Sequence, residues 1–130
     1  MKCINCLRKH LAVMKSFMRE VIDGHGEGAN PDHRINIEGE IVNAEYHASL
    51  IDNVFMRKLR TYRRELMTKR FKVDSSDLDI IDAFYYYTDK FDGYDVDEKY
   101  TKIIDNIKLA DEISNISAPT LKNGCGCNKR

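Results

Sequence analysis

The chain has 130 residues and carries 21 basic and 21 acidic side chains, so its formal net charge is zero. This length allows one ordinary domain with a single core and excludes a second catalytic domain. The longest apolar runs are only a few residues and the start of the chain lacks an apolar signal region, so we expect an intracellular protein without a membrane span.

The first predicted helix runs from about Ile4 to Gly24. Its apolar residues follow alternating three- and four-residue steps, which places them on one helix face. These residues are Ile4, Leu7, Leu11, Met14, Met18 and Val21. Three glycines and a proline between Gly24 and Asp32 then predict a loop.

A second and longer periodic stretch begins near Asn36 and continues to about Arg70. Its apolar residues keep helical spacing from Ile37 to Leu66. A single helix of roughly 34 residues would be about 50 Å long, which is more than a compact domain of this size needs. We therefore expect one long helix whose basic C-terminal half projects from the fold.

Two shorter helices are predicted after it. Asp74 and Ser75 supply capping side chains for a third helix that ends around Phe91, before Gly93. Asp95 and Glu98 resemble a capping box for a fourth helix reaching Ile113. The sequence thus predicts an all-α protein: a small bundle of about four helices in residues 1–113, followed by a tail in residues 114–130.

Four cysteines lie at the two ends of the chain, as a C-x2-C pair and a C-x-C pair. This grouping predicts a structural zinc site at which both ends meet and which clasps the tail, with Cys3, Cys6, Cys125 and Cys127 as ligands. His10 shares a helix face with Cys3 and Cys6, so His10 and His47 are alternative ligands beside the first cysteine pair. Two other interpretations of the four cysteines stay open: they are thiols that bind no metal, or they have a redox or disulfide role.

The charges are separated along the chain. Residues 57–72 contain eight bases and one acid, a net charge of +7, whereas residues 74–99 contain nine acids and two bases, a net charge of −7. Such blocks can pair within a molecule or between subunits, or can simply be solvated helix faces. The basic stretch is also the candidate nucleic-acid or partner surface, through Arg57, Lys58, Arg60, Arg63 and Arg64.

Histidines and carboxylates are concentrated between residues 25 and 47. The candidate site residues among them are His25, Asp32, His33, Glu38, Glu40, Glu45 and His47. A metal-dependent enzyme using His25, His33, Glu40 and His47 is one hypothesis, but structural roles at the loop and core edge are favoured. Because the sequence also lacks nucleophile-elbow, P-loop and Rossmann patterns, we expect a protein that is not an enzyme.

The N-terminal half resembles a known group. The opening C-I-N-C-L-R-K-H-L at residues 3–11, G-H-G at 24–26, P-D-H-R at 31–34 and N-A-E-Y-H at 43–47 are similar to segments of small uncharacterised proteins of tailed bacteriophages, including the crAss-like group. The resemblance covers roughly residues 3–60. It implies a phage context and a helical fold, and it carries no established activity.

These observations lead to two functional expectations. The first is a virion structural or accessory protein, such as a head–neck–tail adaptor, that forms homo-oligomers and contacts other phage structural proteins through helix packing and complementary charge. Its locations would be the virion and the host cytoplasm during infection. The alternative is a small zinc-containing nucleic-acid-binding or regulatory phage protein that uses residues 57–72.

Overall fold

The computed structural model describes residues 3–24 and 31–110, and this part of the chain is helical without strands. Its elements are α1 (Ile4–Asp23), α2 (Pro31–Ser49), α3 (Asn53–Thr68), α4 (Ser75–Tyr87), a 3₁₀ helix (Thr88–Asp92) and α5 (Glu98–Asp105). The prediction of an all-α bundle is confirmed. Residues 111–130, which include the predicted tail, lie outside the described residues.

Short side chains cap the helix starts. Cys3 caps α1 by accepting a hydrogen bond from the Cys6 amide, at 3.1 Å from N to Sγ. Asp74 caps α4, as the sequence predicted, and it also forms a capping box with Asp77. The end of the α4 region is also as predicted, because the 3₁₀ helix stops at Gly93, which has a φ of 90°.

The single long helix predicted from Asn36 to Arg70 is wrong. The chain breaks at residues 50–52 into α2 and α3, which pack against each other. Asp52 has an extended backbone, and its carboxylate accepts a hydrogen bond from the Phe55 amide, so it starts a new helix. The basic half of the stretch is therefore α3, a packed member of the bundle, and does not project.

The fourth predicted helix is also corrected. Its N-cap is Asp97 instead of Asp95, and α5 ends at Asp105 instead of reaching Ile113. After Asn106 the chain turns onto α3, where the Ala110 amide donates to the Arg57 carbonyl. This contact competes with further helix, because it uses a backbone donor that a longer α5 would need.

Successive helices of the bundle are antiparallel. The start of α2 lies beside the end of α1, where His33 Nε2 is 3.3 Å from Glu20 Oε1. Helix α4 runs back along α1, with Lys15 Nζ donating to Asp82 Oδ1 at 2.6 Å. Helix α5 packs on α4, and the Tyr86 and Tyr100 rings stack at 4.9 Å.

The core lies between α1, α2, α3 and α4. Leu7, Leu11, Ile37, Ile41 and Leu59 have no exposed surface. The apolar stripes predicted for the first helix and for residues 37–66 face inward, with Ile4 and Ile51 only partly buried. Aromatic rings complete the core, with Phe55 within 5.6 Å of the rings of Phe84, Tyr87 and Phe91. Burying such side chains stabilises the fold by about 1.5–3 kcal/mol each.

We call one end of the bundle the upper end and the other the lower end. The upper end carries Cys3, the turn at residues 50–52 and the 3₁₀ helix. The lower end carries Gly24, the start of α2 and the connection at residues 69–74. No helix in the described part of the chain is both long enough and apolar enough to cross a bilayer.

Candidate functional sites: a buried histidine cluster and the charged helix faces

Three polar side chains meet between α1 and α2 in what we call the histidine cluster. His10 and His47 are each 6 % exposed, and their rings stack at 5.4 Å. The His10 Nδ1 atom lies 2.6 Å from Glu40 Oε1. The Nδ1 atom of His47 is buried and has no hydrogen-bond partner in the described structure. The cluster therefore contains an unused ligand or proton-accepting position.

Burial determines the protonation of His47. Removal from water lowers the pKa of His47, and the positive charge that His10 can carry lowers it further. A neutral imidazole is the form that binds a transition metal. Burial thus favours the neutral form of His47; the prediction that names His10 and His47 as alternative ligands stays a prediction.

The first cysteine pair lies at the upper end, one to two turns above His10 on the same helix. Cys3 and Cys6 are 5 % and 3 % exposed, and both are disulfide-bonded. Their position at a helix N-terminus favours thiolate character once they are reduced. Cys125 and Cys127 lie outside the described residues. Within residues 3–24 and 31–110, no three side chains of metal-binding type form a group that could hold an ion.

The two ends of the described chain lie in the same half of the bundle. Cys3 caps α1 at the upper end, and Ala110 is held beside the first turns of α3, where Arg57 Nε donates to its carbonyl at 2.7 Å. The 15 residues from Ala110 to Cys125 can span roughly 50 Å when extended. This reach exceeds the roughly 24 Å length of α3, so the second cysteine pair is within range of the first.

The wider set of histidines and carboxylates does not assemble. His33 lies at the lower end beside Glu20 and Phe17, whereas His47 is 14 residues further along α2, roughly 21 Å away. Glu38 is exposed, and His25 lies outside the described residues. The four groups of the enzyme hypothesis are therefore not brought together by the described helices.

The basic face of α3 is largely paired within the subunit. Glu45 of α2 is only 4 % exposed and accepts hydrogen bonds from Arg60 Nε at 3.4 Å and from Arg63 Nε at 3.1 Å. Arg60 itself is 8 % exposed. Two of the five predicted contact residues thus neutralise a buried carboxylate.

The other predicted contact residues are placed differently. Arg57 donates to the Ala110 carbonyl, and Lys58 Nζ donates to the Ile104 carbonyl at 2.8 Å. Both side chains fasten the segment after α5 to α3. Arg64 is exposed on the outer side of α3.

A second buried group, which we call the Asp77 cluster, joins α3 to α4. Asp77 is 1 % exposed and accepts from Tyr62 Oη at 2.6 Å, from Lys69 Nζ at 2.8 Å and from the Asp74 amide at 3.0 Å. Burial, and then the charge of Asp77, raise the pKa of Tyr62 far above its ordinary value. The hydroxyl therefore stays protonated and acts as a donor.

Salt bridges also connect the acidic block to α1. Arg8 NH2 lies 3.1 Å from Asp89 Oδ1 and 2.9 Å from Asp92 Oδ2, and Lys15 pairs with Asp82. Opposite charges thus pair mainly between adjacent helices of one subunit. The sequence analysis missed Glu45 and Asp77 as the internal counter-charges. Their signal is an acid directly next to an apolar residue of the core side of its helix, the buried Ala44 for Glu45 and the partly buried Leu78 for Asp77.

Comparison of the chain with protein-family models, with curated proteins and with solved structures finds no match.

Proposed function

We propose that the chain is a non-catalytic structural or accessory subunit of a tailed-phage particle, of the kind that joins proteins at the head–neck–tail region. It works through helix packing and charge-complementary contacts with copies of itself and with other phage structural proteins. The phage context is supported by the resemblance of residues 3–60. The proposed locations are the virion and, during infection, the host cytoplasm.

The observation that carries this proposal is that the bundle, whose helices are joined by salt bridges and hydrogen bonds, nevertheless exposes large apolar side chains. Among the described residues these are Ile35, Tyr46, Val54, Met67, Tyr86, Tyr94 and Leu109. Single exposed apolar residues are ordinary, but Ile35 and Met67 line one cleft at the lower end. Tyrosine and methionine are enriched in protein interfaces, so this surface suits contact with protein.

The test is mass spectrometry of purified particles of the encoding phage. A constant copy number per particle, retained through density-gradient purification and a high-salt wash, is the expected result. A lysate of infected cells spiked with mature particles of an unrelated phage provides the control for adhering protein. Absence of the protein from particles, together with its presence in the infected cell, would overturn the proposal.

The proposal includes a structural zinc ion held by Cys3, Cys6, Cys125 and Cys127. It is supported by the placement of both described chain ends in one half of the bundle and by the buried sulfurs at the N-terminus of α1. Cys3 and Cys6 lie one turn apart at the start of α1, so their sulfurs, once reduced, can share an ion with Zn–S distances of about 2.3 Å. Host cytoplasm supplies the reduced state.

Elemental analysis of protein purified under reducing conditions tests the zinc ion. One zinc per chain is expected, and the Cys125→Ser/Cys127→Ser variant should lose it. Retention of zinc in that variant, with loss in His10→Ala and His47→Ala, would instead assign the ion to Cys3, Cys6 and the histidine cluster. Wild-type protein without zinc would remove the ion from the proposal.

The alternative function, nucleic-acid binding through residues 57–72, has less support. Arg60, Arg63 and Lys69 pair with buried carboxylates, and Arg57 and Lys58 bind backbone carbonyls. These contacts leave fewer cations for phosphate. A fluorescence titration with duplex DNA between 50 and 200 mM salt should therefore give weak binding with a shallow salt slope, whereas a slope near −5 would favour the alternative.

A further inference from the structure

A cleft of about 360 Å³ opens at the lower end of the bundle between α2 and α3. Its apolar walls are Ile35 and Met67, which are 64 % and 46 % exposed, over a floor that includes Phe71. Arg34 and Arg70 flank the walls and Glu38 also lines the cleft; all three are exposed, so the two bases outnumber the one acid. Neither arginine forms an ion pair within the described part of the chain. We call this feature the lower cleft.

The opposite end of the molecule carries a surface of complementary chemistry. Residues 92–98, which we call the acidic segment, contain four acids and no base. At its centre Tyr94 is 69 % exposed, the largest exposure of any apolar side chain described here. The Tyr94 amide donates to the Asp89 carbonyl at 3.0 Å, and Gly93 adopts a left-handed conformation. The segment is thus a fixed turn that presents an aromatic ring between carboxylates.

One chain cannot bring these two features together. The acidic segment follows the 3₁₀ helix beside the first turn of α3, where Phe55 packs on Phe91. The lower cleft is formed at the other end of the same helix, by Met67 and Arg70. The 16 residues of α3 separate the two by roughly 24 Å. Contact between them requires two molecules.

We infer that the acidic segment of one copy binds the lower cleft of the next copy. Tyr94 fills the space between Ile35 and Met67, while Asp95 faces Arg34 and Arg70. Asp92 stays paired with Arg8, and Asp97 keeps its role as the N-cap of α5. This inference rests on the proposed function, since it identifies the contact by which copies of the subunit join. Repeated from copy to copy in one direction, this contact is head-to-tail and generates a ring or a filament. A net charge of zero removes the long-range repulsion that would oppose it.

The interface is small, because one aromatic side chain and a few charges cover less area than a stable dimer needs. We therefore expect weak association, to be measured on the full chain by sedimentation equilibrium from about 10 µM to about 1 mM. Average mass should rise with concentration at low salt and fall again at 0.5 M salt. Tyr94→Ala and Arg70→Glu should each weaken the association at least about tenfold, because each removes one side of the contact.

Mixing the two variants gives the decisive measurement. Tyr94→Ala keeps an intact cleft and Arg70→Glu keeps an intact acidic segment, so an equimolar mixture should form a heterodimer that grows no further. A symmetric dimer that uses both contacts at once would also keep one contact in this mixture, but its wild type would stop at the dimer. A wild-type mass that rises beyond the dimer, together with a mixture that stops at the heterodimer, is therefore the result expected for the head-to-tail contact. Asp79→Ala and Arg19→Glu, which change exposed charges elsewhere, serve as controls and should associate like the wild type. Circular dichroism of all variants checks that each is folded.

Two outcomes would overturn the inference: a wild-type protein that stays monomeric at 1 mM, or a mixture of the two variants that stays monomeric while the wild type associates. Either outcome is distinct from failure of the proposed function, which is decided by the presence of the protein in particles. A particle protein that binds only other proteins would pass the first test and fail this one.

Discussion

The Asp77 cluster and the histidine cluster both place ionisable side chains inside the bundle, one between α3 and α4 and the other between α1 and α2. In the Asp77 cluster the carboxylate receives three donors, from Tyr62, Lys69 and the Asp74 amide. In the histidine cluster the Nδ1 atom of His47 is left without a hydrogen bond. Satisfied and unsatisfied polar groups thus occupy comparable positions in one small fold.

This difference distinguishes a cluster with a purely structural role, the Asp77 cluster, from one with an atom that can still bind a metal or a proton, the histidine cluster. A buried polar network that is fully hydrogen-bonded holds helices in one arrangement, and removal of a member leaves the others unpaired. An unpaired buried nitrogen reduces stability in the absence of a ligand and offers a binding position for a metal or a proton. The variants below test whether the two clusters differ in this way.

The largest effect is expected for Asp77→Ala. Loss of the carboxylate leaves the buried Tyr62 hydroxyl without its acceptor and opens the α4 capping box, so the free energy of unfolding should fall by about 3 kcal/mol. Urea denaturation monitored by circular dichroism measures the change. Asp79→Ala on the exposed face of α4 is the matched control and should change stability by less than about 0.5 kcal/mol.

Tyr62→Phe should give a smaller loss, of about 1–2 kcal/mol in the free energy of unfolding. The ring remains packed against Phe84, and Asp77 keeps Lys69 and the Asp74 amide as donors. The same urea experiment applies, with Tyr86→Phe as the control at a half-exposed position. A Tyr62→Phe variant as stable as the wild type would show that the Asp77 cluster does not depend on this donor.

His47→Leu is expected to have the opposite sign at pH 7.5. The substitution removes the unpaired nitrogen and keeps a side chain of similar bulk, so stability in metal-free protein should stay constant or rise by about 1 kcal/mol. Thermal unfolding in the presence of a chelator measures it. A loss of 2 kcal/mol or more would mean that the histidine cluster is as structural as the Asp77 cluster.

The smallest effect is a pH dependence that His47 should produce. Its folded-state pKa lies below the unfolded value of about 6.5, so the unfolded chain binds the proton more readily. Stability from this group is therefore complete above about pH 6.5 and is lost as pH falls towards and through the folded-state pKa. Between pH 7.5 and 5.5 we therefore expect the free energy of unfolding of the wild type to fall more than that of His47→Leu. His33→Gln, at the lower end, is the control.

The sequence predicted the helical class, the inward stripes and the first and third helix boundaries, because these depend on local spacing and capping. Both signals, apolar residues at helical spacing and residues that start or end a helix, are present from Ile4 to Gly24 and from Asp74 to Gly93. The break at residues 50–52 was missed because the turn adds no shift to the apolar period: Ala48, Ile51 and Phe55 keep steps of three and four. Only Asp52, a capping residue inside an apolar stretch, indicated the turn.

The partners of the charged side chains could not be predicted from spacing alone. Glu45 lies 15 residues from Arg60 in the sequence, and the two meet only because the turn at residues 50–52 folds α3 back onto α2. In the single long helix predicted from Asn36 to Arg70, these charges would lie far apart, and the basic residues would be available to bind partners. An error in one helix boundary therefore changed the functional interpretation of a whole charge block.

The connection between α3 and α4 contains two consecutive residues in the left-handed region, Arg70 with φ of 54° and Phe71 with φ of 56°. Neither is glycine, and each such conformation costs roughly 1–2 kcal/mol. Phe71 is buried, and its amide donates to the Leu66 carbonyl at 2.7 Å, so packing and a hydrogen bond impose the bend. The connection is consequently rigid and does not act as a hinge. Helices α3 and α4 should therefore move as one body when force or a neighbouring molecule acts on either of them.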